Sequence, residues 1–120
     1  MILADTSVWV HHLRYDDPTL RQLLERGEVA CHPFIVGELA CGTLRQRREI
    51  LSLLAELPRC PVAEHHEVLA LIESRRLMGR GLGWIDVHLV AAALVAGAQL
   101  WTRDRPLASA ATACGVGVAF

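Results

Sequence analysis

Short apolar runs alternate with stretches of helical periodicity along this chain, a pattern that predicts a parallel sheet with helices on its faces. The runs with strand character are Ile2 to Ala4, Glu28 to Cys31, Cys60 to Ala63, Gln99 to Thr102 and Val116 to Phe120. Together they give a sheet of about five strands. Between them, Asp17-Pro18 reads as a helix N-cap with proline at the first helical position. Leu20, Leu23 and Leu24 form the apolar face of that helix, and Gly27 ends it. Ile50, Leu53, Leu54 and Leu57 recur at helical spacing until Pro58 stops them. Glu64 to Met78 carries Val68, Leu71 and Ile72 on one face and breaks at the turn from Gly79 to Gly83.

Two helical stretches differ from these. Pro33 to Leu44 contains a single charged residue, Glu38, and Trp84 to Ala98 contains only Asp86 and His88 among ionisable groups. Helices that are apolar all round are buried ones, so Glu38 and Asp86 are expected to be enclosed by protein.

Enclosure makes the acids the centre of interest. Asp5, Glu38, Asp86 and Asp104 each stand alone in an apolar stretch where an element starts or ends, and an isolated buried carboxylate is costly without a compensating cation or hydrogen-bond network. Asp5 follows the first strand and Asp104 the fourth, while Glu38 and Asp86 lie near helix starts. These are the places where open parallel sheets bind ligands. Taken singly, Asp5 and Asp104 read equally well as helix caps. Taken together, the four acids repel, since two charges 4 Å apart cost about 4 kcal/mol at an effective dielectric of 20. Either some of them are protonated or a divalent cation neutralises them. Oxygen-only donors favour Mg2+ or Mn2+ over zinc, and such ions complete their coordination with phosphate oxygens, which points to a phosphate-bearing substrate. The matching chemistry is phosphodiester hydrolysis by a water that the metal activates. Thr6, Ser7 and Thr102 are candidate polar supports. His88 lies two positions after Asp86, a turn of about 200°, and reads as structural.

Composition narrows the choice further. At 120 residues the chain is expected to form one domain over positions 1–120. All twelve basic side chains are arginine, which excludes mechanisms that need a lysine. Receiver-like phosphoacceptors and haloacid-dehalogenase-type phosphatases fall with it, and the glycines at 79–83 make no P-loop without a following Lys-Ser/Thr. A net charge of −1 means that RNA contacts would rest on local clusters such as Arg103 with Arg105. Cys31, Cys41, Cys60 and Cys114 show no metal spacing and are expected to be buried reduced thiols. Leu89 to Ala98 is too short to span a bilayer, and the first residues lack a basic leader, so a cytoplasmic location without membrane association is expected.

The four acidic motifs also carry a resemblance. Asp5-Thr-Ser7, Val36-Gly-Glu38-Leu, Trp84-Ile-Asp86-Val-His-Leu-Val-Ala-Ala and Thr102-Arg-Asp104-Arg resemble, in order, the motifs of PIN-domain ribonucleases of the VapC toxin type, over essentially the whole chain. The resemblance implies a three-layer α/β/α sandwich and an Mg2+- or Mn2+-dependent endoribonuclease with Asp5, Glu38, Asp86 and Asp104 as ligands. It further implies inhibition by a small VapB-type antitoxin, and homodimers that join the antitoxin in larger complexes. Exposed apolar surface near the first helices, including Trp9 and Val10, is the expected antitoxin surface. His88 stands where the family often has a small residue, and Arg103 and Arg105 flank Asp104 where some relatives carry a further acid. The alternative is a non-catalytic RNA-binding or regulatory module whose acids hold only a structural cation.

Overall fold

A computed structural model describes residues 1–120. In chain order the elements are β1 (Ile2–Ala4), α1 (Thr6–Tyr15), α2 (Pro18–Glu25), β2 (Val29–Ala30), α3 (Pro33–Cys41), α4 (Arg47–Glu56), α5 (His65–Arg75), α6 (Trp84–Ala96), β3 (Gln99–Trp101) and α7 (Arg105–Ala113). The sheet is parallel with order β2-β1-β3, and Leu3 of the central strand is level with Ala30 on one side and Leu100 on the other. Ile2, Leu3 and Ala4 are all buried. Because successive strand side chains point to opposite faces, helices must cover both sides of the sheet. This is the α/β sandwich that the alternating pattern predicted.

The sheet has three strands rather than about five. The outer segments are reduced to single parallel bridges, Cys31 with Arg59 and Leu100 with Gly117. Pro58 and Pro61 flank the Arg59 bridge, Pro61 inside the expected strand, and a proline has no N–H to extend a ladder. At the other edge Gly117 runs so close to α7 that a Cβ there would lie 2.7 Å from Thr112 Oγ1. The segment is held by that approach and by Leu100 N–H donating to Val116 O at 2.6 Å, not by a continued ladder.

The helix ends have local causes. Asp17 Oδ1 accepts the N–H groups of Thr19 (2.9 Å) and Leu20 (3.0 Å), with Pro18 in the first turn. His32 starts α3 by accepting the Phe34 N–H on Nδ1 at 3.0 Å. That helix ends at Cys41 and not at Leu44, because Gly42 leaves the helical region and the Arg47 guanidinium takes the carbonyls of Ala40 and Gly42. Helix α6 ends at Ala96, before Ala98, as Gly97 adopts a φ of 66°.

The core is continuous from Leu3 through Trp9, Ile35 and Leu89 to Leu107. Trp9 is wholly buried, which corrects its expected place on an exposed docking surface, whereas Val10 is exposed. The step of about 100° between neighbours in α1 turns Val10 away from the side that Trp9 buries. Cys31, Cys60 and Cys114 are buried free thiols, but Cys41, at the last turn of α3, is exposed. No helix is long and apolar enough to cross a membrane.

Candidate metal and phosphate site

Asp5 sits where the chain leaves β1. Its N–H donates to Trp101 O at 3.0 Å, continuing the β1–β3 pairing by one bond, and its side chain caps α1. Oδ1 accepts from Val8 N–H at 3.1 Å and from Ser7 Oγ at 2.5 Å. Oδ2 accepts from Thr102 Oγ1 at 2.5 Å. The residue is only 6% exposed, and the two ion pairs in the molecule, His11 with Asp17 and Arg21 with Asp16, lie elsewhere. Burial therefore raises its pKa above the usual carboxylate value, while the bonds from Ser7, Thr102 and Val8 oppose the rise. The result is a desolvated carboxylate with its donors in place and no basic side chain paired to it.

Thr102 and Ser7 extend this arrangement. Thr102 Oγ1 also accepts the Asp104 N–H at 3.0 Å and lies 3.3 Å from Ser7 Oγ, which in turn accepts the Arg103 N–H at 2.9 Å. Asp104 caps α7 by accepting Leu107 N–H at 3.0 Å. Residues 5–7 and 102–104, far apart in sequence, thus form one hydrogen-bonded unit at the carboxyl ends of β1 and β3. Thr6 adds the third acid by donating to Glu38 Oε1 at 2.6 Å. Asp86 is tied locally instead, accepting the Gly83 N–H at 2.8 Å in the first turn of α6. The turn before it reaches the unit through Gly81, whose φ of 78° suits glycine and whose backbone packs so that a Cβ would lie 3.6 Å from Pro106 of α7.

The expected enclosure of Glu38 and Asp86 does not hold: Glu38 is exposed and Asp86 half-buried. The apolar character of α3 comes partly from small residues such as Gly37 and Ala40, which need no burial, and only Ile35 and Leu39 are fully buried. Asp104 is exposed as well. No three His, Cys, Asp or Glu side chains converge closely enough to cage a metal. Thr6 and Thr102 tie Glu38 and Asp104 to the unit of the buried Asp5, while Asp86 bonds only to the Gly83 N–H. That donor set fits Mg2+ or Mn2+, which take one or two carboxylates and keep several waters, better than an ion that needs a closed cage. Asp5 is the observation behind the fit, a buried carboxylate without a basic partner.

One cluster escaped the reading of the sequence. His32, Phe34, His88, Trp84 and His65 form a continuous run of rings with centroids 4.8 to 5.0 Å apart, joining the first turns of α3, α6 and α5. His88 is buried in this run rather than turned toward the acids. Burial lowers the pKa of His32 to about 4, with His88 adding to the effect, and burial likewise lowers that of His88. The signal for His32 was present as His-Pro before an apolar helix, a histidine where a cap belongs. Arg103 and Arg105 are exposed beside Asp104.

A short parallel sheet with acids at its carboxyl ends is shared by several families, and comparison with known proteins selects one. Residues 2–113 match the family model of the PIN domain, and the chain belongs to that family. It is 52% identical to Ribonuclease VapC32 from two strains of Mycobacterium tuberculosis, over 99% of this chain and 97% of the relative. The resemblance to VapC-type chains seen in the four motifs is thereby upheld. The crystal structure of PAE2754 from Pyrobaculum aerophilum shares the fold, with a TM-score of 0.66 at 19% identity over 91% of this chain and 83% of that one.

Proposed function

We propose that the chain is a metal-dependent endoribonuclease toxin that hydrolyses RNA phosphodiester bonds and is restrained by a cognate VapB-type antitoxin. The observation that carries this reading is the buried Asp5 carboxylate, gripped on both oxygens by Ser7 and Thr102 yet lacking a basic partner, in a chain half identical to a named ribonuclease. Asp5, Glu38, Asp86 and Asp104 would hold Mg2+ or Mn2+. Such a cation makes water nucleophilic at neutral pH and offsets charge on the reacting phosphate.

The chain's own groups do the positioning. Ser7 and Thr102 fix the rotamer of Asp5, and their donated hydrogen bonds favour its ionised form. Thr6 steadies Glu38, which as an exposed side chain would otherwise sample several rotamers. The exposed guanidinium groups of Arg103 and Arg105 contact phosphates of the bound RNA, offsetting strand charge beside Asp104.

The antitoxin surface is reassigned from Trp9 to the groove of about 620 Å3 between α1 and the segment joining α3 to α4. Val10 and Leu13 line it with Leu44 and Ile50, and Arg14 and Arg45 add positive charge. Assembly as a homodimer that joins antitoxin in a larger complex, in the cytoplasm, completes the reading.

Incubating the protein with RNA and Mg2+ or Mn2+ tests it. Cleavage should occur, stop with chelator, and be absent in folded Asp5→Asn and Asp86→Asn variants. The rival is a non-catalytic RNA-binding or regulatory module whose acids hold only a structural cation. RNA binding without cleavage, indifferent to chelator, would establish that rival.

A further inference from the structure

Glu38 stands in the last turn of α3, a helix of nine residues that ends at Cys41. Last turns fray first, because their carbonyls find no N–H groups further along the helix. This turn has little protection of its own. It carries no basic side chain, and Gly42 leaves it in an extended conformation, unlike the left-handed Gly97 that stops α6. No backbone bond from residues 43–46 returns to it. The cap comes instead from the start of α4. One terminal nitrogen of the Arg47 guanidinium donates to Ala40 O at 2.6 Å and the other to Gly42 O at 3.3 Å, so two orphan carbonyls and the negative end of the helix meet a single cation.

Ala40 lies only two residues beyond Glu38. The Glu38 carboxylate has one hydrogen-bond partner, the Thr6 hydroxyl at 2.6 Å, and that bond fixes its direction only while the backbone beneath it stays wound. Mg2+ demands near-ideal octahedral geometry, so unwinding under a ligand is felt at the ion. Arg47 is not free for phosphate, since both of its terminal nitrogens already donate to α3.

We propose that Arg47 is a positioning residue for Glu38: capping α3 from α4, it keeps the last turn wound and holds the carboxylate at the metal site. This rests on the metal-dependent reading of the acids and adds a residue that acts on one of them through the backbone. Charge alone would give the opposite effect, because a fixed cation repels a second one. The sign of the change on removing Arg47 therefore separates positioning from electrostatics.

The test is Mn2+ titration by calorimetry on the full chain, on Arg47→Ala and Arg47→Lys, and on Glu38→Gln with and without Arg47→Ala. Arg47 is exposed, so its variants keep the fold. Affinity should fall about threefold in Arg47→Ala, the size of a charge interaction at a helix end, and Arg47→Lys should recover part of the loss. Combined with Glu38→Gln, Arg47→Ala should cost nothing further, because the ligand it positions is already gone. Hydrogen exchange on the metal-free protein gives a second readout: the amides of Leu39 to Gly42 should exchange about threefold faster in Arg47→Ala, with those of α6 unchanged. Mn2+ affinity that is equal or higher in Arg47→Ala would overturn the proposal. So would an undiminished loss in the Glu38→Gln background, or exchange at Leu39 to Gly42 that ignores the substitution. Weaker RNA binding by Arg47→Ala in metal-free buffer, with Mn2+ affinity unchanged, would overturn it too and assign the guanidinium to phosphate. Absence of Mn2+ binding by the unaltered chain would reject the metal reading itself, and the proposal with it.

Discussion

Thr102 donates its hydroxyl to Oδ2 of Asp5 at 2.5 Å across 97 positions of sequence, and Thr102 Oγ1 itself accepts the Asp104 N–H at 3.0 Å. One hydroxyl therefore fixes the buried acid and orders the turn that carries an exposed one. It also bears on protonation. Burial raises the Asp5 pKa and the Thr102 bond lowers it, so losing the bond lets the pKa climb further. Thr102→Val should move the acid limb of the pH–rate profile for RNA cleavage to higher pH and lower kcat/KM about tenfold at neutral pH, in line with losing a hydrogen bond to a charged group. Thr102→Ser should stay near the unaltered protein. A profile unmoved in Thr102→Val would remove Thr102 from the account.

His32 gives the protein an acid sensitivity of its own. Its Nδ1 accepts the Phe34 N–H, while Nε2 is buried without a partner, and its pKa falls to about 4 through burial first and His88 second. With the folded value below the unfolded one, the unfolded chain binds more protons between those values. Stability is therefore present above about 6.5 and is lost as pH falls toward 4. The loss is at most about 3 kcal/mol. His32→Asn keeps a capping side chain and cannot titrate, so urea unfolding should show a shallower decline from pH 6.5 to 4 than in the unaltered protein, with His88 common to both. Parallel declines would refute the assignment.

The groove beside α1 makes a separate demand. Leu13 is exposed and lies outside the hydrogen-bonded unit of Asp5, so Leu13→Glu should weaken antitoxin binding about tenfold or more, through lost apolar burial, and leave RNA cleavage in the absence of antitoxin unchanged. Titration calorimetry with the cognate antitoxin provides the comparison. Undiminished affinity would place the antitoxin elsewhere.

Much of this was legible in the sequence, though unevenly. Asp17-Pro18 announced its helix, and the parallel α/β pattern followed from apolar runs alternating with helical spacing. Thr6, Ser7 and Thr102 stood out as polar residues beside acids. Which acid each one serves was not readable, because the Thr102 to Asp5 bond depends on the register that sets Ala4 level with Trp101. Strand number failed where Pro58, Pro61 and Gly117 convert apolar runs into single bridges. The burial of Glu38 failed because mean apolarity counts Gly37 and Ala40 as if they needed a core. Cys41 failed because it lies two positions after the buried Leu39, a turn of about 200° along α3, and so faces solvent.

A buried carboxylate with its donors in place and no basic partner should bind a divalent cation, and a Mn2+ titration by calorimetry on the unaltered chain and on Asp5→Asn measures this directly. The unaltered protein should bind Mn2+ with an affinity that falls at least about tenfold in Asp5→Asn, the loss expected when a charged ligand becomes neutral. Asp5→Asn should remain folded, since an amide can still accept from Val8 and Ser7 and pair with Thr102. Equal Mn2+ affinity in the two proteins would contradict a metal site built on Asp5.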